Sequence, residues 1–290
     1  MTFHSQGQRL QIAYQYHKAA RSNNKTVVLL HGKNFSTIYW KETIQHLAKE
    51  GYSVLAIDQI GFGRSSQPIA YKFSFHQLAA NTKLLMDSLH ISKATLIGHS
   101  MGGMIAIRFA LLYPKICAQL ILENPIGLED WKLFVPYATV ENENQKELLK
   151  TREDLKVYMT KNYFHNEWKK EYETLLAEND RLMHDKHFPA YAKNMALTSD
   201  MIFTQPVCYE FKNIKVPVTL IIGQADRTTI GRERAGKDIA GCLGNYPELG
   251  RKTVKAIDNA KLIELQGIGH IPHVENFKTF IEKIDNILKN

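Results

Sequence analysis

Three short stretches carry side chains that could act together as nucleophile, base and orienting acid. In "LIGHSMGG" (residues 96–103) Ser100 stands between Gly98 and Gly102. An apolar run precedes it and a helix-like run, "MIAIRFALL", follows. A G-x-S-x-G spacing of this kind suits a chain that leaves a strand, turns sharply and enters a helix, with the serine strained at the tip. Small residues two before and two after the serine avoid clashes in that turn. The hydroxyl then points into the crevice above the strand ends, and the first amides of the helix favour negative charge beside it. That is the chemistry of nucleophilic acyl transfer. A lone serine hydroxyl is a weak nucleophile, so a base must take its proton and a carboxylate must orient the base.

Position selects the partners. With a serine on a strand-to-helix turn, the acid and then the histidine follow it along the chain. Of twelve histidines, five come later: His165, within the aromatic-rich stretch, and His184, His187, His270 and His273. His184 and His187 lie in "MHDKHF", which is also the nearest approach to a metal-ligand cluster and reads as polar surface. His270 ends "LQGIGH", just past an apolar run and before the closing helical stretch, and is the expected base. His273 reads as a structural or cavity-edge residue. Asp226, just past "TLIIGQ", is the expected acid; Glu123, at the end of "QLILE", is the alternative. Two backbone amides should receive the developing oxyanion. One is that of Met101, the other that of Lys33, or next Asn34, in "LLHGKNF". His31 reads as a hydrogen-bonded loop anchor. No metal and no cofactor is expected.

The elements that must position these residues can be read from periodicity. Short apolar runs alternate with longer amphipathic ones: "TVVLLHG" (26–32), "SVLAID" (53–58), "ATLIGH" (94–99), "AQLILEN" (118–124), "VPVTLIIG" (216–223) and "AKLIELQG" (260–267) as strands. "FHQLAANTKLLMDSLH" and the C-terminal "VENFKTFIEKIDNILKN" read as helices. "RLQIAYQYH" (9–17) alternates as an opening strand would. Strands that are apolar throughout, separated by helices, predict a parallel sheet covered on both faces. Between residues 125 and 215 the strand-like runs stop and aromatics such as Trp131, Tyr158, Tyr163, Phe164 and Trp168 crowd in. This predicts a helical insertion into one core formed by residues 1–124 and 216–290. Most of its aromatics should pack within it, and a few should line a cavity beneath, which points to an apolar acyl or aryl group.

The 290 residues carry a net charge of +8, but the lysines are scattered and no nucleic-acid-binding signature is present. Cys117, Cys208 and Cys242 are few, odd in number and far apart, which suits a reducing compartment. No run is long enough for a membrane span, and the N-terminal stretch has no hydrophobic signal core. A cytoplasmic protein acting on a small molecule is the expectation. Nothing in the sequence speaks to oligomeric state.

Over nearly its whole length the chain resembles the α/β-hydrolase superfamily. The resemblance is carried by "HGKN" (31–34), "DQIGFGRS" (58–65), "GHSMGG" (98–103), "GQAD" (223–226) and "GIGH" (267–270), in that order. It implies a mostly parallel eight-stranded sheet with helices on both faces and a helical lid over residues 125–215. "DQIGFGRS" is similar to the family's structural glycine-rich loop. The match is nearest to the lidded, cofactor-free branch of esterases, carbon–carbon bond hydrolases and haloperoxidase-like members. Haloalkane dehalogenases and epoxide hydrolases place an aspartate where this chain has Ser100, and proline iminopeptidases usually show "HGGPG" where it has "HGKNF". The resemblance implies a serine hydrolase cleaving a carboxylic ester of a small, largely apolar substrate. Carbon–carbon or amide hydrolysis is the alternative, and a non-catalytic ligand receptor the second. Residues 227–259 are long for a link between two strands and have no functional reading.

Overall fold

The computed structural model describes residues 1–19 and 21–289. It opens with a hairpin of β1 (Thr2–Ser5) and β2 (Gln8–Gln11), with Phe3 opposite Leu10. The main sheet follows: β3 (Tyr14–His17), β4 (Thr26–Leu30), β5 (Ser53–Ile57), β6 (Ala94–His99), β7 (Cys117–Glu123), β8 (Val218–Gly223) and β9 (Ala260–Leu265). Their order is β3-β5-β4-β6-β7-β8-β9, parallel throughout except that β3 runs antiparallel to β5. Among the described residues this sheet has seven strands, one fewer than the resemblance implied. The opening run "RLQIAYQYH" is the reason. It breaks at Ile12 and Ala13, whose amides donate to the Met1 carbonyl at 2.8 Å and to Ser65 Oγ at 2.9 Å. The chain there leaves one pairing partner and turns onto another.

Helices cover both faces. They are α1 (Lys41–Lys49), α2 (Phe75–Ser88) and α3 (Met101–Leu112) in the first half. In the second half come α4 (Val140–Leu149), α5 (Arg152–Asn162), α6 (Glu173–Met183), α7 (Phe188–Thr204), α8 (Lys237–Ala240), α9 (Tyr246–Ala256), α10 (Pro272–Glu275) and α11 (Phe277–Lys289). Along β4 the side chains alternate. Val28 and Leu30 pack with α2 and α3, while Val27 and Leu29 pack with α1 and α11. All four are completely buried, each contributing about 2 kcal/mol, so neither face tolerates a polar residue and the run is apolar throughout. Local signals set helix starts: Ser74 accepts from the Gln77 amide, and Thr151 with Asp154 forms a capping box.

Residues between β7 and β8 form the helical insertion α4–α7. Of its aromatics, Trp131, Tyr191 and Phe203 join the main core, while Tyr158, Tyr163, Phe164, Trp168 and Tyr172 build a core of the insertion's own, with Phe164 stacked on Tyr172 at 3.9 Å. That core also takes in Phe35 and Ile271 from the loops after β4 and β9. The chain steps from β4 outward to β5 and returns past β4 to β6, so the sheet order reverses there. The carboxyl ends of β4 and β6 therefore flank a crevice, into which the loop at residues 31–36 and Ser100 both project.

The turn after β6 brings α3 against β4 with no room for a side chain at Gly102. A Cβ there would lie 2.1 Å from the Leu30 carbonyl oxygen. Gly102→Ala is therefore expected to destabilise the protein by more than about 4 kcal/mol, read as lost soluble yield or a collapsed thermal transition. Gly241→Ala, where a Cβ meets nothing within 4 Å, should melt like the parent.

Candidate active site

Ser100 sits at φ 54° and ψ −119°, a conformation that costs a non-glycine residue energy and holds its side chain off both strand and helix. The turn is pinned on both sides. The Ser100 amide donates to the Glu123 carbonyl at 3.1 Å, and the Gly103 amide donates to the Ser100 carbonyl at 2.9 Å. Met101 begins α3, so its amide lies among those that have no partner within the helix. The amides of Lys33 and Asn34, across the crevice, make no hydrogen bond among the described residues.

His270 and Asp226, 44 residues apart, meet in a fully buried pair. The imidazole Nδ1–H donates to Asp226 Oδ2 at 2.7 Å, and this contact fixes the tautomer. Nε2 is buried and has no hydrogen-bond partner among the described residues. The carboxylate also accepts from Asn124 Nδ2 at 2.7 Å and from the Thr228 amide at 2.8 Å. Asn124, itself at φ 38°, accepts the Gly223 amide through its Oδ1 at 3.0 Å. It is thus held by β8 while it holds Asp226. Nothing short-range in the sequence marks this residue, beyond the tolerance of asparagine for positive φ at a strand end.

Glu123 points elsewhere. It accepts the His273 amide at 2.9 Å and the His273 ring Nδ1 at 2.8 Å, and that ring stacks on Trp40 at 4.0 Å. This second buried pair ties the end of β7 to α10.

A further chain of hydrogen bonds, unforeseen in the sequence, joins three loops. His99 Nε2–H donates to the His270 carbonyl at 2.9 Å, the Tyr39 hydroxyl donates to His99 Nδ1 at 3.0 Å, and the Gly32 amide donates to the Tyr39 oxygen at 2.9 Å. Burial, aided by the neighbouring His270 and His273, holds the His99 imidazole well below its usual range, which keeps the ring neutral. From the insertion, the Tyr163 carbonyl accepts the His270 amide at 2.8 Å, and the Tyr163 ring lies 4.6 Å from the imidazole. The Tyr163 hydroxyl accepts from Asn34 Nδ2 at 2.9 Å.

Ser100 opens into a cavity of about 350 Å³ between the sheet ends and the insertion. The apolar lining expected from the insertion's aromatics is only part of what it presents. Tyr158, Tyr163, Leu155, Ile126, Ile202 and Ile230 are there, but eight charged side chains share the wall. Of the others, Phe164, Trp168 and Tyr172 pack in the insertion's own core, Trp131, Tyr191 and Phe203 join the core beneath the sheet's helices, and Phe134 and Tyr137 are exposed. Residues 227–259, silent in the sequence, supply one side of the cavity through Thr228–Gly231, Glu233 and Arg234. Arg232 braces that loop by donating to the carbonyls of Ala240 and Leu243. Among the described residues, no group of three or more His, Cys, Asp or Glu side chains is placed to hold a metal. No helix among them is long and apolar enough to cross a membrane.

The sheet order and the strained serine between β6 and α3 are those of an α/β hydrolase. Within that superfamily the chain belongs to the family described as Serine aminopeptidase, S33, whose model matches residues 21–246. It is similar to a solved structure of a probable hydrolytic enzyme from Pseudomonas aeruginosa PAO1. The two are 42% identical over 99% of this chain and 92% of that one, with a TM-score of 0.97. The enol-lactonase of Burkholderia xenovorans LB400 has the same fold, at TM-score 0.75, 21% identity and 97% coverage of both chains. Abhydrolase domain-containing protein abhd-5.2 of Caenorhabditis elegans is 38% identical over 110 residues; the match spans 36% of this chain and about a quarter (24%) of that relative. The chain is a hydrolase by family and by likeness.

Proposed function

We propose that the protein is a serine hydrolase that cleaves a carboxylic ester of a small molecule through an acyl-enzyme. The observation that carries this reading is the pairing of His270 with Asp226 through Nδ1 at 2.7 Å, which leaves Nε2 as the basic nitrogen, beside a cavity into which a strained Ser100 opens. Ser100 Oγ attacks the ester carbon as His270 Nε2 takes its proton. Asp226 holds the tautomer and stabilises the imidazolium that forms. The Met101 amide, with that of Lys33 or Asn34, receives the oxyanion. The imidazolium then protonates the departing alkoxide. Water, activated by the same nitrogen, attacks the acyl-enzyme and releases the acid. The insertion acts as the lid over this site.

A panel of 4-nitrophenyl esters with acyl chains of two to twelve carbons tests the reading. Turnover should peak at short chains, because the cavity is small and eight charged side chains share its wall. Absence of turnover on every ester by folded protein would overturn it. The name of the matched family favours one rival, hydrolysis of an amide. Faster turnover of aminoacyl 4-nitroanilides than of any ester would assign the bond to that class.

A further inference from the structure

The loop after β4 is built as a tight turn. The Phe35 amide donates to the Gly32 carbonyl at 3.1 Å, which closes a four-residue turn with Lys33 and Asn34 at its centre. The central amides of such a turn take no part in its own hydrogen bond. Those of Lys33 and Asn34 make none elsewhere among the described residues, and both residues line the same cavity as Ser100. A peptide in a loop can rotate about its flanking torsions, and a donor that swings out of line loses most of its hydrogen bond.

Side chains hold both ends of this turn. At the first end the Gly32 amide donates to the Tyr39 oxygen at 2.9 Å. At the second, Asn179 Nδ2, from α6 of the insertion, donates to the Asn34 carbonyl at 2.9 Å. Asn179 is 5% exposed, and its partners set the orientation of its carboxamide. Nδ2 also faces the Leu175 carbonyl at 3.5 Å, one helical turn back, while Oδ1 accepts from the Tyr191 hydroxyl of α7 at 2.9 Å. Turned over, the carboxamide would set its oxygen against two carbonyls. The other buried residues of α6 are Leu175, Leu176 and Leu182. A carboxamide among leucines costs desolvation unless its bonds replace those to water. What it supplies that a leucine would not is the bond to the Asn34 carbonyl.

We propose that Asn179 is a positioning residue for the reaction: through the Asn34 carbonyl it holds the turn so that the Lys33 or Asn34 amide stays aimed at the developing oxyanion. This inference rests on the serine-hydrolase reading and deepens it. The bond at the Asn34 carbonyl fixes the peptide joining Asn34 to Phe35. The bond at the Gly32 amide fixes the peptide joining His31 to Gly32. The two peptides between them carry the Lys33 and Asn34 amides and are tied at both ends. Donors already in place when charge develops need no reorganisation during the step. Asn179 is not among the residues that line the cavity, so its loss should weaken the transition state and leave substrate binding alone.

The test uses full-length Asn179→Leu, which keeps the bulk of the side chain and removes the donor. Asn179→Ala serves in its place should the leucine variant not fold. On the best 4-nitrophenyl ester, kcat is expected to fall about 20-fold, less than the roughly 10²–10³ that follows outright loss of an oxyanion donor, with KM within about threefold of the parent. Two ketones separate aim from shape. Butyl trifluoromethyl ketone takes Ser100 Oγ onto its carbonyl carbon, gives the serine proton to His270 Nε2 and leaves an oxyanion beside the turn. Its inhibition constant should rise about 20-fold, in step with kcat, as for any mimic of the transition state. Butyl methyl ketone stays trigonal in the same cavity, and its inhibition constant should not move. A fall in kcat below about fivefold, undiminished affinity for the trifluoromethyl ketone, or equal losses for both ketones overturns the proposal. The parent protein separates that failure from failure of the hydrolase reading. A parent that hydrolyses esters and prefers the fluorinated ketone, beside a variant that matches it in both, sinks the role of Asn179 alone. A parent that does neither sinks the serine-hydrolase reading, and the role of Asn179 with it.

Discussion

Replacing Ser100 by alanine is expected to lower kcat/KM for the best ester by about 10⁶, with the fold retained. The argument starts from geometry. Ser100 is 5% exposed, and its strained backbone is held by the Glu123 carbonyl and the Gly103 amide rather than by its own side chain. Alanine adopts that backbone at a cost close to that of serine, so the thermal transition should barely move. The nucleophile, however, is gone, and His270 Nε2 has no oxygen to deprotonate. What remains are the amides and the cavity, which alone sustain a rate about 10³–10⁴ above water. Steady-state kinetics on the parent and the variant, with circular dichroism on both, checks this. A variant within tenfold of the parent would take Ser100 out of the reaction.

Asp226→Asn is expected to lower kcat by about 10⁴, again with little change in fold. Oδ2 of Asp226 accepts from both His270 and Asn124, and Oδ1 accepts from the Thr228 amide. A carboxamide cannot accept at both ends. If its NH₂ faces the imidazole, the ring proton moves to Nε2, and the nitrogen that should take the Ser100 proton no longer can. If it faces Thr228, two donors collide in a buried place. Glu123→Gln is the companion measurement. Since Glu123 is engaged by His273, that change should leave kcat within about tenfold while lowering the melting temperature. The opposite pattern, with Glu123 indispensable and Asp226 dispensable, would exchange the roles of the two acids.

Much of this site was legible before any coordinates, because its parts sit at strand ends, and strand ends show in a sequence. Apolar runs stop at His99, Glu123, Gly223 and Leu265, and the residues just beyond three of them are the ones that gather around the crevice. Gly98 and Gly102 mark the turn from within it. What was not legible depends on contacts between segments far apart in the chain. Asn124 joins Asp226 across 102 residues, and Tyr163 joins His270 from inside the insertion. The link from His99 through Tyr39 to Gly32 is likewise a matter of how two loops face each other. Residues of these types occur throughout the chain, and only tertiary packing selects them. The end of the strand-like runs marks that the insertion is helical, but not which face turns toward the cavity. The charged wall was missed for that reason. The broken opening strand was missed because alternation continues through Ile12 and Ala13 while the pairing partner changes.

The bond from the His270 amide to the Tyr163 carbonyl bears on how this protein could be re-engineered. Gly269 lies so close to that carbonyl that a Cβ would stand 1.9 Å from the oxygen, and the Tyr163 hydroxyl reaches the loop of Asn34. One residue of the insertion therefore buttresses both the expected base and the loop expected to supply the oxyanion amide. Grafting the insertion of another hydrolase onto this sheet, as one would exchange a cassette to change specificity, would remove a support of the catalytic groups along with the old substrate contacts. A chimera that keeps residues 159–165 from this chain retains that support. Cut points for such an exchange belong outside that segment, on the α4 side or the α6–α7 side of it.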